Sequence, residues 1–138
     1  MHNLFIDTNV IIDLLADRQP FSREAAILFT LTEQKKLKIF SSSLTFSNLY
    51  YILRKFESHQ KVINKLNCLS GIMNILKVDE TVVKNALQSD FQDFEDSLQY
   101  HCALDHRQIN AIITRNVKDY RNSELPVMTP ADFLKTLK

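Results

Sequence analysis

The sequence predicts an α/β fold in which helices cover both faces of a parallel sheet. Short, continuously apolar segments alternate along the chain with longer segments whose apolar residues recur at helical spacing, and this alternation is typical of parallel sheets. The chain has 138 residues and is 45% hydrophobic, which is enough for one domain with one sizeable core. The only glycine, Gly71, fits a helix-rich chain and excludes a glycine-rich phosphate loop. We therefore expect a single domain over residues 1–138.

The first half of the chain predicts three strands and four helices. Residues 4–6 form an apolar run that stops at Asp7, a residue suited to capping a helix over 10–15. Pro20 favours a helix start, and that helix continues through residue 34. The following elements are a strand over 37–41, a helix after 43–45, a helix over 60–73 that breaks near Gly71, and a strand over 75–78.

The second half continues the alternation. Its predicted elements are helices over 81–87 and 95–104, strands over 109–113 and 127–128, and a terminal helix from Pro130 to Lys138. The helix over 95–104 has no wide polar side, which indicates that it is buried.

Composition excludes several classes of protein. Lys and Arg total 17 against 16 Asp and Glu, so any nucleic-acid-binding surface must be local. Cys68 and Cys102 lack metal-binding spacing, and we expect two reduced, buried thiols in a cytoplasmic protein. The N-terminus lacks the features of a signal peptide, and no segment approaches the length of a membrane span.

Acidic residues occur in three segments that a parallel sheet would bring together. Asp7 follows the first strand, and Asp119 lies in the loop after the fourth, so both are expected at the carboxyl edge of the sheet. A third group, Asp93, Glu95 and Asp96, begins the buried helix. Acidic residues without histidine or cysteine suit a hard cation such as Mg²⁺ or Mn²⁺. Each group also has a structural alternative, as a helix cap, a complement to the helix dipole or a turn residue.

Four segments together resemble the signature segments of PIN domains, the family that includes the VapC-type toxins of toxin–antitoxin pairs. They are FIDTNVIIDLL, SSSLTFSNLYYILRK, DFEDSLQYHCA and IITRNVKDY, in the order and at the spacing of that family. The resemblance extends from Leu4 to Leu134. It implies a three-layer α/β/α sandwich with a five-stranded parallel sheet, and a metal-dependent ribonuclease that hydrolyses RNA phosphodiester bonds.

The resemblance assigns roles to particular residues. Asp7 and Asp96 resemble the metal-binding carboxylates, with Glu95 as an auxiliary ligand, and either Asn116 or Asp119 matches the last acidic position. The polar residues that would orient this catalytic group are Thr8, Asn9 and Thr114. The implied cofactor is Mg²⁺ or Mn²⁺, and the implied partners are an RNA substrate, a small antitoxin and a second copy of the chain in a homodimer.

The second signature departs from the family. Most members have a glutamate on that helix, whereas this chain has Asn48, which supplies a neutral oxygen and no charge. This keeps an alternative open, a PIN-fold module that binds RNA or protein with weakened catalysis. A receiver domain is disfavoured because no acidic pair precedes Asp7 and no lysine ends the last strand.

Five basic residues near these segments are candidates for contact with RNA phosphates. The alternative for each is an ordinary solvated surface residue. The candidates are Arg54, Lys55, Arg115, Lys118 and Arg121.

Overall fold

The structure, a computed structural model, describes residues 2–137 and contains five strands, seven α-helices and one 3-10 turn. The strands are β1 (His2–Ile6), β2 (Leu37–Ser42), β3 (Asn74–Leu76), β4 (Ala111–Ile113) and β5 (Val127–Met128). The helices are α1 (Thr8–Leu15), α2 (Ser22–Glu33), α3 (Ser43–Leu53), α4 (His59–Ser70), α5 (Glu80–Leu87), α6 (Phe94–Asp105) and α7 (Pro130–Lys135). The 3-10 turn, Val117–Tyr120, follows β4.

All strand pairs are parallel, and the sheet order is β3-β2-β1-β4-β5. β1 lies at the centre, where Leu4 pairs with Ile39 of β2 on one side and with Ala111 of β4 on the other. The order of connection reverses at β1, because the chain adds β2 and β3 on one side and β4 and β5 on the other. In sheets of this kind the crevice at the reversal, beyond the carboxyl ends of the strands, is the usual ligand site.

Helices cover both faces of the sheet, as alternation along β1 requires. Leu4 and Ile6 pack with α1, α2, α3, α4 and α7 on one face. Phe5, between them in sequence, packs with α5 and α6 on the other. The predicted three-layer α/β/α sandwich with a five-stranded parallel sheet is therefore confirmed.

Short polar side chains fix the starts of six helices by accepting a hydrogen bond from the first turn, which satisfies an otherwise unpaired backbone N–H. These caps are Asp7, Ser42, Ser58, Asp79, Asp93 and Thr129. Asp7, a predicted site residue, thus also has the capping role that was its structural alternative, and Asp93 of the predicted acidic group caps α6.

The boundaries differ from the predictions by a few residues. The helix expected from Pro20 begins at Ser22, and the helix expected to extend to residue 73 ends at Ser70, with Gly71 as its C-cap. The predicted end of the last helix, Lys138, lies outside the described residues. Cys102 is buried as expected, but Cys68 is exposed because it lies on α4 away from the sheet. Within residues 2–137 no helix is long and apolar enough to cross a membrane.

Candidate functional site

Asp7 lies between β1 and α1 at the carboxyl edge of the sheet. Its backbone N–H donates to the carbonyl of Ile113, the last residue of β4, at 2.9 Å. This hydrogen bond extends the pairing of β1 with β4 by one residue, and it fixes the point where the chain leaves the sheet. Asp7 is consequently held near the centre of the edge, where β1 and its neighbour β4 end.

Four hydrogen bonds hold the buried Asp7 carboxylate. Its Oδ1 accepts from the backbone N–H of Thr8 at 2.7 Å and from Gln99 Nε2 at 2.9 Å, and its Oδ2 accepts from Thr114 Oγ1 at 2.8 Å and Tyr120 OH at 3.1 Å. Burial raises the pKa of Asp7, and these hydrogen bonds oppose that rise. None of the four donors is a formal cation, so the negative charge of an ionised Asp7 is solvated but not neutralised.

Polar side chains from three helices continue this network inside the protein. Gln99 of α6 also donates to Thr8 Oγ1 at 3.3 Å, and its Oε1 accepts from Thr45 Oγ1 of α3 at 3.0 Å. Thr45 Oγ1 lies 3.2 Å from Ser42 Oγ. Gln99 and Thr45 are fully enclosed, and a buried amide with each end bonded has one favourable orientation. The network therefore fixes α6 and α3 relative to Asp7.

The first turn of α6 presents Glu95 and Asp96 beside Asp7. Asp93 caps this helix by accepting from the backbone N–H of Asp96 at 2.9 Å. Partial burial raises the pKa of Asp96 to about 7, with further upward contributions from the charges of Asp7, Asp93, Asp119 and Glu95. Burial raises the pKa of Glu95 as well, with help from Asp93 and Asp7. These side chains are close enough to repel one another, which makes this edge strongly electronegative.

Asn48 of α3 reaches the acidic group, at the position where the sequence departs from the family pattern. Its Nδ2 donates to Glu95 Oε1 at 2.9 Å, and this hydrogen bond lowers the pKa of Glu95 against the larger effect of burial. The helix predicted from the second signature, α3, therefore faces the acidic group. Its Asn48 amide contacts the Glu95 carboxylate of α6.

The loop after β4 brings the remaining predicted residues to the same edge. Thr114 Oγ1 accepts from the Asn116 backbone N–H at 3.1 Å and from Asn9 Nδ2 at 3.3 Å. Asn116 lies just before the 3-10 turn and Asp119 lies within it, and both are exposed. The Asn116 carbonyl accepts from the Asp119 N–H at 3.0 Å. Thr114 is thus the link through which the loop is fixed to Asp7.

Two cavities open at this edge, and Asp96 lines both. The larger, of about 360 Å³, also contains Asp93, Lys118, Asp119 and Arg121. The smaller, of about 250 Å³, is lined by nine residues from α1, α3, α6 and adjacent loops. They are Asp7, Thr8, Asn9, Ile12, Arg18, Ile52, Glu95, Asp96 and Asn116. Asn116 therefore lines the smaller cavity and Asp119 the larger, each together with Asp96.

A model of the PIN domain family matches residues 3–118. The chain belongs to the PIN domain family. Ribonuclease VapC1 of Aquifex aeolicus (strain VF5) is 24% identical over 135 residues, which cover 94% of this chain and 92% of that protein. Among solved structures, a toxin–antitoxin complex from Klebsiella pneumoniae matches with 25% identity and a TM-score of 0.66, over 92% of this chain and 97% of that chain. The sarcin-ricin loop cleaving toxin VapC20 of Mycobacterium tuberculosis matches with 16% identity and a TM-score of 0.61, over 79% and 86% of the two chains.

The acidic group of this PIN domain is not preassembled as a set of metal ligands. Within residues 2–137, no three His, Cys, Asp or Glu side chains are arranged to hold a metal ion as they stand. The hydrogen bonds explain this, because the Asp7 oxygens already accept four donors and Glu95 is held by Asn48. Of the three acidic segments expected to converge, two line one cavity through Asp7, Glu95 and Asp96, whereas Asp119 of the third segment lines the other cavity beside Asp96.

The predicted basic residues divide into two groups. Lys118 and Arg121 line the larger cavity beside Asp96. Arg115, in contrast, forms a bidentate ion pair with the buried Asp13 at 2.6 and 3.2 Å and lies over the Phe21 ring at 4.1 Å. This gives Arg115 a structural role in place of the phosphate contact expected from the sequence.

Arg54 and Lys55 also differ from the expectation. They follow α3 at its C-terminal end, whereas Asn48 lies at its middle, and neither lines the two cavities at Asp96. Arg54 Nη1 donates to the Glu57 carbonyl at 3.0 Å and so closes the turn after the helix. The last residue of α3 that lines the smaller cavity is Ile52, and Arg54 and Lys55 come after it.

Sequence reasoning missed Gln99, Tyr120 and Arg18. Gln99 follows Asp96 by three residues and Glu95 by four, a spacing that places all three on one face of a helix and could have identified it. Tyr120 directly follows Asp119, and nothing in the sequence distinguishes it from a core aromatic residue. Arg18 lies in the loop after α1, which returns to the smaller cavity only in three dimensions.

Proposed function

We propose that this PIN domain, a single domain over 1–138, is a divalent-metal-dependent endoribonuclease and the toxin of a toxin–antitoxin pair. The observation that carries the proposal is the group of Asp7, Glu95 and Asp96 at the carboxyl edge of the sheet, whose charges repel one another. Within residues 2–137 none of the three forms an ion pair with Lys, Arg or His. An acidic group left without a countercharge, open to a cavity, is suited to a cation.

The donor types fit Mg²⁺ or Mn²⁺. Asp7, Asp96 and Glu95 would hold the ion, and Asn116 lines the same cavity. Carboxylate and amide oxygens are the hard donors that these ions prefer. A bound ion of this kind polarises a phosphate and lowers the pKa of water, which is the chemistry that phosphodiester hydrolysis requires. Because Glu95 is exposed and Asp96 half-buried, both can change rotamer more readily than Asp7.

The remaining residues position this group. Thr114 and Tyr120 hold one oxygen of Asp7, Thr8 and Gln99 hold the other, and the carboxylate consequently keeps one orientation whether or not substrate is present. Asn9 fixes the loop that carries Asn116 through Thr114 Oγ1. Because the carboxylate is already oriented, no free energy has to be spent on orienting it at each turnover.

The proposed partners follow from the relatives. VapC1 is a ribonuclease by name, and the solved neighbours include toxin–antitoxin complexes. An antitoxin needs an apolar surface, and the protein has one in a groove of about 260 Å³ between α1, α2 and α4, lined by Leu14, Leu15, Phe29, Leu69 and Ile72 among others. We include a homodimer and a cytoplasmic location in the proposal on family grounds.

Two measurements test the proposal. Calorimetric titration with Mn²⁺ should give saturable binding, and the purified protein should cleave RNA in Mn²⁺ or Mg²⁺ but not in excess chelator. The matched variant is Asp96→Asn, which removes one charge with little change in shape. Saturable binding without cleavage of any RNA would favour the second candidate, a PIN-fold module with weakened catalysis, and the observation that supports that candidate is the amide of Asn48. Absence of Mn²⁺ binding would exclude the metal-dependent nuclease.

A further inference from the structure

A third cavity, of about 350 Å³, is lined by residues of α1, the start of α2, the loop after β4 and the start of α7. It shares no lining residue with the two cavities at Asp96. Phe21, Pro130 and Ala131 contribute apolar lining, and Glu24 and Arg115 bring two charged groups to the same cavity. A volume of this size, with few polar groups in a largely apolar lining, is typical of a ligand pocket.

The Arg115 guanidinium reaches this cavity with its charge already paired. Its Nε and Nη2 donate to Asp13 at 2.6 and 3.2 Å, which leaves Nη1 outside the pair. Its Cζ lies 4.1 Å from the centre of the Phe21 ring, so the group is also held by the aromatic face. Arg115 can therefore donate a hydrogen bond to a ligand from a fixed position, without an unpaired charge.

Glu24 supplies the opposite kind of group. It lies in the first turn of α2, is partly buried, and within residues 2–137 forms no ion pair. A carboxylate only accepts hydrogen bonds, and its two oxygens can accept a pair of parallel ones. The cavity therefore combines an acceptor at Glu24 with a donor at Arg115.

The charges around the cavity restrict its ligand. Two carboxylates, Asp13 and Glu24, outweigh the one guanidinium, so a phosphate or carboxylate would be repelled. A second cation is disfavoured because Arg115 already covers the Phe21 face that would attract it. The best match is a flat, uncharged ring that has both hydrogen-bond donors and acceptors.

We propose that this cavity binds a guanine base. The N1–H and N2–H groups of guanine are adjacent donors that fit the two oxygens of Glu24, and its O6 and N7 are acceptors for Arg115 Nη1. Its ring lies against Phe21 and Pro130. The other bases lack two adjacent donors of this kind, and unpaired bases in RNA are recognised by such stacking and edge contacts.

A base in this cavity would belong to a nucleotide close to the acidic group. Arg115 directly precedes Asn116, which lines the smaller cavity together with Asp7 and Asp96. This step rests on the proposed ribonuclease function, and it gives that function a preference for RNA with an unpaired guanine near the cleaved bond. Binding of the base itself requires no metal ion.

The test is calorimetric titration with guanosine, inosine and adenosine monophosphates in excess chelator. Inosine monophosphate is the matched ligand, because it lacks only the 2-amino group of guanine, and the phosphate is common to all three. The variants are Glu24→Gln and Phe21→Leu. Glu33→Gln is the matched control, since Glu33 is exposed at the other end of α2 and does not line the cavity.

Guanosine monophosphate should bind the wild type at least about fivefold more tightly than adenosine monophosphate, the lower limit for one bidentate contact. Inosine monophosphate should fall between them. In Glu24→Gln the guanosine ligand should lose at least about fivefold and bind about as well as the inosine ligand. Phe21→Leu should weaken guanosine monophosphate several-fold through lost stacking, and Glu33→Gln should bind all three as the wild type does.

Cleavage of RNA completes the test and separates the base pocket from the ribonuclease function. In Mn²⁺ the wild type should cleave a single strand that contains guanine faster than the same strand with adenine in its place, and Glu24→Gln should lose this difference. Binding of guanosine monophosphate without any such difference would assign the cavity to a free guanine nucleotide and overturn its role in substrate choice.

Two results would overturn the base pocket itself. One is equal affinity of the wild type for the three nucleotides, and the other is an unchanged preference for guanine in Glu24→Gln. With either result, Mn²⁺ binding and RNA cleavage would still support the ribonuclease proposal. If Mn²⁺ does not bind, the ribonuclease proposal fails, while the titrations in chelator still decide whether the cavity takes guanine.

Discussion

Helix α1 has a buried aspartate near each end, and the two have opposite surroundings. Asp13 is 1% exposed and forms a bidentate ion pair with Arg115, whose guanidinium also lies over the Phe21 ring. Asp7, which caps the start of the helix, is 5% exposed and receives only neutral donors. One carboxylate has its countercharge within the fold, whereas the other lacks one and lies beside Glu95 and Asp96.

The difference separates a carboxylate whose charge is paired within the fold from one whose charge remains available to a ligand. A buried charge is costly unless it is paired, so an unpaired acidic group is retained only where something outside the chain compensates it. Asp13 meets its requirement through Arg115. In the proposed function a bound cation would compensate the group around Asp7, and the two regions should therefore respond oppositely to the replacement of an aspartate by asparagine.

The largest expected effect is on RNA cleavage by Asp96→Asn. Metal-dependent cleavage should fall to background, because the amide lacks the charge that would hold the cation. The melting temperature in chelator should stay the same or rise, since removing one of several crowded carboxylates relieves repulsion. Cleavage assays and melting curves measure both effects, and a large drop in melting temperature together with lost activity would make Asp96 a structural residue.

The second effect is on stability, through Asp13→Asn. This variant leaves the guanidinium of Arg115 without its countercharge, and removal of one partner of a buried pair costs about 3–5 kcal/mol. Since the Arg115 side chain is 26% exposed, we expect a smaller loss of about 2–3 kcal/mol in the free energy of unfolding. Denaturant titration measures it, and Mn²⁺ affinity of the folded variant should be unchanged. A loss of less than about 0.5 kcal/mol, the range of an ordinary surface change, would remove the contrast between the two ends of α1.

The sequence alone was enough to predict the fold and most of the residues that lie together at the carboxyl edge of the sheet. The run before Asp7 is recognisable as a strand because it is continuously apolar. The helix after Asp93 is recognisable because its first turn is acidic and has a capping residue before it. These local patterns fix which residues end strands and begin helices. Parallel topology then brings the ends of those elements to one edge, so Asp7, Asp96 and the loop of Asn116 could be grouped without coordinates.

Long-range pairings could not be predicted in this way. Arg115 was expected to contact phosphate because it follows a strand near the site, but its partner Asp13 is 102 positions away in the chain. Arg54 and Lys55 were candidates because they end the helix of the second signature, but neither lines a cavity at the acidic edge. The roles of Gln99 and Arg18 likewise depend on contacts between separate elements, which spacing along the chain does not encode.

The third prediction concerns Asn48, whose amide contacts Glu95. Asn48→Glu places a second carboxylate against Glu95. The attraction between one such charge and a unit positive charge 4 Å away, at an effective dielectric near 20, is about 4 kcal/mol before desolvation is subtracted. Much of this is lost to solvent because Glu95 is exposed, so we expect a several-fold gain in Mn²⁺ affinity. The melting temperature in chelator should fall, and excess metal should restore it.

The controls for Asn48→Glu separate charge from shape. Asn48→Gln has the length of glutamate without its charge and should not tighten Mn²⁺ binding. The double variant Asn48→Glu, Glu95→Gln moves the charge from α6 to α3 with the total unchanged, and it should bind Mn²⁺ within a few-fold of the wild type. If Asn48→Glu changes neither affinity nor stability in chelator, Asn48 has no influence on the acidic group despite its hydrogen bond.

The smallest effect, and the most specific, is the pH dependence of stability without metal. The pKa of Asp96 is about 7 in the folded chain, against 3.8 for an ordinary aspartate, and the pKa values of Asp7 and Glu95 are raised as well. Between about pH 4 and 7 the folded chain therefore holds protons that the unfolded chain has released, so the free energy of unfolding should decrease as pH rises through this window. The contribution of Asp96 should level off above pH 7, where its carboxylate is ionised in both states.

Because Asp96→Asn cannot titrate at this position, its stability relative to the wild type should grow from pH 5 to 7 and then stay constant. Denaturant titrations of both proteins in chelator measure this difference, and Asp13→Asn serves as the comparison because it leaves the acidic group intact. A difference between Asp96→Asn and wild type that does not change with pH would mean that Asp96 is ionised throughout, and the acidic edge would then be no more strained than the paired end of α1.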